Sequence, residues 1–152
     1  MPLETYQVKR KFERTPEPKG RVVKENLFRF VIHKHQARNL HYDLRLEMKG
    51  VLKSWAVPKE PPKTSEIKRL AMQVEDHPVD YINFQGIIPK GNYGAGKVEI
   101  WDKGNYKLLN KTSNEIEFEL LGKRLNGNYV LIKPKGPRFG LKAWLFFKLK
   151  ER

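Results

Sequence analysis

Three of the chain's four histidines, His33, His35 and His41, fall within nine residues, and Asp43 and Arg45 follow closely. In a strand, alternate side chains share a face. His41, Asp43, Arg45 and Glu47 therefore stand on one side, roughly 6.6 Å apart from one Cα to the next, and Tyr42, Leu44 and Leu46 stand on the other. The second set is an ordinary core face. The first aligns an imidazole, a carboxylate and a guanidinium, which is either a solvated charged strand surface or a site. His35 and His41 with Asp43 form a two-imidazole, one-carboxylate set that suits a divalent ion such as Mn²⁺, Zn²⁺ or Fe²⁺. His33 and His35 sit on the preceding strand, where either can face the polar side of its neighbour. Three protein ligands leave positions for water and substrate, as catalysis requires.

The fourth histidine lies in Val74-Glu75-Asp76-His77-Pro78-Val79-Asp80-Tyr81. Glu75 and His77 share a strand face, and Pro78 ends the pairing. A histidine there is an anion-binding group, a general acid, or a ring hydrogen-bonded to nearby carboxylates. With no cysteine, the chain has no disulfide, Cys-ligated zinc, iron–sulfur cluster or thiol nucleophile. No G-x-S-x-G elbow exists, and neither Ser54 nor Ser65 has a strained-turn context. Attack by metal-activated water is the economical mechanism. Gly91-Asn92-Tyr93-Gly94-Ala95-Gly96-Lys97 fits G-x-x-x-x-G-K, but Val98 stands where a P-loop needs Ser or Thr. The next residues, Val98-Glu99-Ile100-Trp101, alternate like a strand instead of opening the helix that a phosphate cradle needs. A glycine-rich loop entering a strand near the substrate path is the better reading.

The elements that must position these groups are short. Apolar or alternating runs recur at residues 27–34, 41–47, 51–57, 69–75, 97–101, 106–109, 115–121, 129–133 and 141–149. Turn signals separate them, including Lys49-Gly50, Asp102-Lys103-Gly104 and Asn126-Gly127-Asn128. Such spacing predicts an all-β barrel or sandwich. Helix is scarce, with one short turn expected over residues 64–69, capped by Thr64. Residues 1–25 are polar and carry Pro16 and Pro18, so they read as an arm packed on a domain formed by residues 26–152.

A chain of 152 residues favours one domain. It buries roughly 70% of its unfolded surface and needs no disulfide or metal simply to fold. Lys and Arg number 31 against 17 Asp and Glu, a formal net charge of +14. Self-repulsion on that scale usually accompanies a polyanionic partner, nucleic acid first. A lysine-rich solvated surface is the plainer alternative. A membrane partner is not expected, since no stretch approaches ~20 apolar residues. The charged N-terminus is no signal peptide, so a cytoplasmic location is expected.

One longer block carries a family resemblance. Phe30-Val31-Ile32-His33-Lys34-His35-Gln36-Ala37-Arg38-Asn39-Leu40-His41-Tyr42-Asp43-Leu44-Arg45-Leu46-Glu47 closely resembles the signature of the 3′-phosphoesterase domain of bacterial ligase D, the multifunctional end-joining DNA ligase. The match continues through residues 50–59, 69–71, 74–81, 86–89 and 91–96. The resemblance implies a mostly β, single-domain closed barrel of about eight strands. It also implies a Mn²⁺-dependent activity, with Co²⁺ or Zn²⁺ as alternative ions, on the 3′ ends of DNA or RNA-containing primer–templates. That activity removes a terminal ribonucleoside as a phosphodiesterase, then the 3′-phosphate as a phosphomonoesterase.

By the same resemblance, His35, His41 and Asp43 take metal positions, and Arg45 and His77 take phosphate positions. His77 would also protonate the leaving oxygen. Tyr81 matches a further active-site position, with Glu75 beside it. Lys59 and Arg69 match basic positions that contact the substrate backbone. Arg10 and Glu17 in the arm match functional positions, although Lys11 stands where an acidic residue is expected. His33 replaces a common amide, as an extra donor or a neutral substitute. A monomeric, free-standing enzyme is the expectation, cooperating with a separate ligase or polymerase of end joining. The alternative is a non-catalytic basic barrel gripping single strands through Trp55, Tyr93 and Trp101. It accounts for the charge but not for the clustered His, Asp and Arg.

Overall fold

The computed structural model describes residues 2–21, 26–136 and 139–150. The expected arm boundary at residues 25 and 26 therefore falls at the edge of a segment outside the described residues. Nine strands form one antiparallel sheet: β1 Arg29–Gln36, β2 Leu40–Met48, β3 Val51–Val57, β4 Lys68–His77, β5 Gly86–Ile88, β6 Gly96–Lys111, β7 Glu115–Leu121, β8 Asn126–Ile132 and β9 Ala143–Lys148. The hydrogen-bonded order is β1-β2-β3-β4-β9-β8-β7-β6, and β1 also pairs with β6. Eight strands thus close into a barrel, and closure removes free sheet edges. β5 adds to β6 outside the ring.

Period-two patterning decides what fills the barrel. Every one of the eight strands sends residues to one cluster, which includes Phe30, Leu44, Trp55, Phe118, Tyr129 and Phe146. That cluster is the interior. A second, smaller cluster comprises Val31, Leu52, Ile88, Val98, Tyr6, Tyr81, Ile82 and Phe84. Its strand residues alternate with interior ones, so it lies on the barrel's outer face. A 3₁₀ turn, Val79–Asn83, and a short helix α1, Glu4–Val8, cover it. Five residues are too few for a helix to persist alone. Packing holds α1 in place: Leu3 and Tyr6 are buried, and the Tyr6 hydroxyl donates to the Pro18 carbonyl.

Three local expectations are corrected. The helix expected over residues 64–69 is only a bend and turn, because the chain is already extended at Lys68, paired with Phe147 of β9. The helix forms in the arm instead. Asp102-Lys103-Gly104 is not a turn, since β6 runs through it, bulging where Ile32 and His33 of β1 pair with Asp102 and Ile100. Buried Asp102 accepts the backbone N–H groups of Lys103, Lys123 and Leu125. Gly104 leaves room for the Leu121 carbonyl, which would lie 2.3 Å from a Cβ there. Asn126-Gly127-Asn128 belongs to β8, paired with β7, and the turn precedes it, closed by Gly122 N–H to the Leu125 carbonyl. Lys49-Gly50 is the expected hairpin turn, with φ of 53° and 82°, the both-positive geometry of tight β-hairpins. Among the described residues no helix is long and apolar enough to cross a membrane.

Candidate active site

The polar faces of β1 and β2 point outward, toward α1, the 3₁₀ turn and the glycine-rich loop, but they are not a solvated surface. His33, His35, Asp43, Arg45, Glu47 and His77 are all buried. Pairing of β1 with β2 sets His35 against His41 and His33 against Asp43. Beneath the covering segments lies a cavity of about 230 Å³, bordered by His35, His41, Asp43, Arg45, His77 and Tyr81.

At one end, ligand atoms of His35, His41 and Asp43 all lie within 4.8 Å of one another. His41 Nε2 is 3.3 Å and His35 Nδ1 3.7 Å from Asp43 Oδ2. Each imidazole uses its other nitrogen on a backbone carbonyl. His35 Nε2–H donates to Gly94 at 2.7 Å, and His41 Nδ1–H to Asn39 at 3.0 Å. These bonds fix the tautomers, as outer hydrogen bonds do for ligating histidines. The remaining imidazole nitrogens both turn toward Asp43 Oδ2, a convergence that could hold a cation. The donor set, spacing and burial fit a divalent ion. Gly94 supplies its carbonyl from a backbone at φ +73°, a left-handed conformation that favours glycine. The loop read as lying near the substrate path thus borders the cavity and holds His35.

Charge balance reinforces this picture. Burial opposes ionisation of Asp43, but Arg45 and the hydrogen bonds of His35 and His41 hold its carboxyl well below the usual range. Burial also lowers His41, yet Asp43 outweighs it and the imidazole is raised.

Arg45 is the pivot between the two ends. Its Nη2 lies 3.3 Å from Asp43 Oδ2, and its Nε donates to His33 Nδ1 at 3.2 Å. Its guanidinium carbon sits 4.9 Å from the centre of the Tyr81 ring. Nη1 is buried with no hydrogen-bond partner. A buried, unpaired donor of a charged group costs folding energy. Arg45 also borders the cavity, so this donor could take an anion there.

The far end is built by the arm and β4. Arg10 donates through Nε to Glu17 at 2.9 Å and through Nη1 to the Tyr6 carbonyl at 3.0 Å. Its Nη1 lies 3.5 Å from Glu75 Oε1, and Nη2 lies 3.4 Å from His77 Nε2. Buried Glu17 also accepts the Tyr81 hydroxyl at 2.6 Å and the Thr15 hydroxyl at 3.0 Å. His77 Nδ1–H donates to the Glu75 carbonyl at 3.0 Å. Burial, then Arg45 and Arg10, push His77 well below its ordinary value, so it is neutral here. Burial chiefly, with Glu17 adding, raises the Tyr81 phenol, which is a donor to Glu17 and no base.

The structure thus brings together His35, His41, Asp43, Arg45, Glu75, His77, Tyr81, Arg10 and Glu17 at one cavity. It does not bring Lys59 or Arg69 there. Lys59 is exposed, and Arg69 donates through Nε to the Glu60 carbonyl at 2.8 Å. His33 does not border the cavity and lies behind Arg45, its Nε2–H on the Phe84 carbonyl at 3.0 Å. Glu47, on the same strand face, does not border the cavity either. It is fully buried and holds Arg29 through two side-chain bonds of 2.9 and 3.1 Å. Sequence reasoning missed Tyr6, whose ring packs edge-on to His77 with centroids 4.9 Å apart. Its helical spacing from Leu3 was the available signal. It also missed the four carbonyls that orient the histidines, which have no residue signature.

Comparison with known proteins identifies the chain's family. The family described as the DNA ligase D 3′-phosphoesterase domain matches residues 33–133. A multifunctional non-homologous end joining protein LigD from Pseudomonas aeruginosa is 46% identical over 158 residues, covering 99% of this chain and 19% of its own length. The protein of that name from Mycolicibacterium smegmatis is 43% identical over 163 residues, covering 99% of this chain and 21% of its own. The chain therefore spans about a fifth of the length of these relatives. With the match running across both barrel and site, the chain belongs to the DNA ligase D 3′-phosphoesterase domain family.

Proposed function

We propose that the protein is a divalent-metal-dependent hydrolase, served best by Mn²⁺, that repairs the 3′ ends of DNA or RNA-containing strands. It removes a terminal ribonucleoside as a phosphodiesterase and then the 3′-phosphate as a phosphomonoesterase, leaving a 3′-hydroxyl for a ligase or polymerase of end joining. One observation carries this reading. The converging His35, His41 and Asp43 stand beside an Arg45 whose buried Nη1 has no partner.

His35 Nδ1, His41 Nε2 and an Asp43 oxygen would hold the ion. When bound, the ion supplies Lewis-acid polarisation of the phosphoryl group and activation of water. Arg45 Nη1 takes a phosphate oxygen and offsets the charge that builds in the transition state. Tyr81 supports the guanidinium from below, and Glu17 fixes Tyr81. His77 is neutral in the free protein because it is buried, with Arg45 and Arg10 close by. A phosphate anion offsets both cations, so substrate binding raises the affinity of Nε2 for a proton. The resulting Nε2–H is the group that protonates the leaving oxygen, the 5′ oxygen of the departing nucleoside in the diesterase step and the 3′ oxygen of the strand in the monoesterase step, while Glu75 holds the ring through its carbonyl.

The test is a panel of primer–templates ending in a 3′-phosphate or a single 3′-ribonucleotide, resolved on a denaturing gel. Conversion to a 3′-hydroxyl with Mn²⁺, weaker conversion with Co²⁺ or Zn²⁺, and none with EDTA is the expected pattern. Substrate left intact with every divalent ion would overturn the reading. His41→Ala separates it from a simple binding module. The enzyme loses turnover and keeps DNA affinity, whereas a binding module has no metal requirement to lose.

A further inference from the structure

The ends of β2, β6 and β8, the starts of β3, β7 and β9 and the middle of β4 meet at one mouth of the barrel. A second cavity of about 230 Å³ opens there. Its floor is interior core, Met48, Trp55, Ile116 and Trp144. Its walls carry four lysines from four separate elements. Lys49 is on the β2–β3 turn, Lys53 on β3, Lys111 at the end of β6, and Lys133 just past β8. No Asp or Glu borders it. Lys53 is ion-paired with Asp76 at 2.9 Å. Among the described residues Lys49, Lys111 and Lys133 have no carboxylate within 4.0 Å. Lys133 lies 5.2 Å from the centre of the Trp144 ring.

The two indoles in the floor differ in one respect. Trp144 Nε1–H donates to Gln73 Oε1 at 3.1 Å. Trp55 is 1% exposed, packs edge-on to Trp144, and its Nε1–H has no partner. An unpaired buried N–H is costly, and the cavity that Trp55 borders is ringed by cations. The geometry points to a second phosphate-binding site at the barrel mouth, in which lysines draw in a phosphate group and the Trp55 indole donates to one of its oxygens. The site is separate from the catalytic cavity but adjoins it across β4. Gln73 borders the mouth, and Glu75, two residues on, borders the catalytic cavity. We assign its occupant to a backbone phosphate of the nucleic acid strand, and this source, though not the site, rests on the function proposed above. A strand held at both places would have its 3′ end anchored as well as cleaved.

Inorganic phosphate is the first probe and a 3′-hydroxyl oligonucleotide the second, each titrated into ¹⁵N-labelled protein while the indole N–H signals are followed. Both probes are expected to move the Trp55 signal saturably, and the oligonucleotide at lower concentration. Lys111→Gln with Lys133→Gln is expected to abolish the shift. It should also weaken oligonucleotide binding several-fold and lower the salt slope of binding by about 2. Lys107→Gln with Lys123→Gln, exposed lysines elsewhere, controls for general charge. A Trp55 signal that neither probe moves, or equal losses in the two double variants, overturns the site. A shift with phosphate but not with the oligonucleotide overturns the strand as its source. Failure of wild-type protein to turn over a 3′-phosphate primer counts against the proposed activity alone, because the indole readout needs no turnover.

Discussion

His33 and Arg45 form one unit. The fully buried imidazole gives its Nε2–H to the Phe84 carbonyl, which leaves Nδ1 to accept Arg45 Nε at 3.2 Å. That bond sets the plane of the guanidinium whose Nη1 is unbonded. Arg45→Ala should abolish phosphate hydrolysis. His33→Ala should lower kcat by ~10- to 100-fold, the scale that misplacing a clamp group costs. His33→Gln should recover much of that loss, because an amide oxygen can accept from Nε. The two alanine changes together should cost no more than Arg45→Ala alone, as expected of residues acting as a unit. Additive losses in single-turnover kinetics would show that His33 acts independently of Arg45.

Metal should also stabilise the fold. Ligand atoms of His35, His41 and Asp43 converge within 4.8 Å across the β1–β2 pair, and a bound cation would tie the two strands together there. At one hundred times its dissociation constant, a ligand bound only by the native state adds about 2.7 kcal/mol. For a domain of this size that corresponds to ~5–10 °C in Tm. Mn²⁺ should raise Tm by that order in wild type and leave His41→Ala and Asp43→Asn unmoved. Calorimetric titration should give one site per chain.

The polar outer face was legible because strands alternate strictly. His41 to Glu47 needed only period two to place Asp43 and Arg45 together, and the short runs with a true hairpin at Lys49-Gly50 left a barrel or a sandwich, between which the family resemblance chose. The positions that failed are those where a residue has a packing job that imitates a turn signal. Asp102 and Gly104 read as a loop, yet one caps backbone N–H groups of the β7–β8 turn and the other admits the Leu121 carbonyl. The depth of the site was also hidden. No local pattern shows that α1 and the 3₁₀ turn would cover the outer face, so Tyr6 went unnoticed. Tertiary burial decides such cases, and it is not a local property.

Glu17 fastens the arm to the site and should reveal itself in stability. It accepts from Arg10, Tyr81 and Thr15, all out of solvent. Glu17→Ala leaves the Arg10 guanidinium buried without its carboxylate, a class of change that costs ~3–5 kcal/mol. Tyr81→Phe removes one bond to a charged acceptor and should cost ~1.5–3 kcal/mol. Urea midpoints should rank wild type above Tyr81→Phe above Glu17→Ala. Equal midpoints would mean that the arm does not depend on this carboxylate.

Acid should unfold the protein earlier than its carboxylates alone would require. Burial, then the charge of Arg45, lowers His33 to about 3. Burial with Arg45 and Arg10 lowers His77 well below its ordinary value. Unfolded histidines titrate near 6.5. Above that pH both states carry neutral rings, and neither histidine changes stability. Below it, the unfolded chain binds protons that the native state refuses, so stability falls as pH drops. The loss spans the window from about 6.5 down to about 3 for His33, at up to ~1.4 kcal/mol per pH unit per histidine. Asp43 acts in the same direction but later, since its depressed carboxyl favours folding only above the ordinary Asp range near 3.9. Urea unfolding between pH 7 and pH 4.5 should therefore show a steep decline in wild type. The decline should be shallower by about one proton in His33→Gln, which keeps an acceptor for Arg45 but cannot titrate. A wild-type profile flat over that range would mean that His33 and His77 gain protons within the folded protein, so that His77 would carry its proton before substrate arrives.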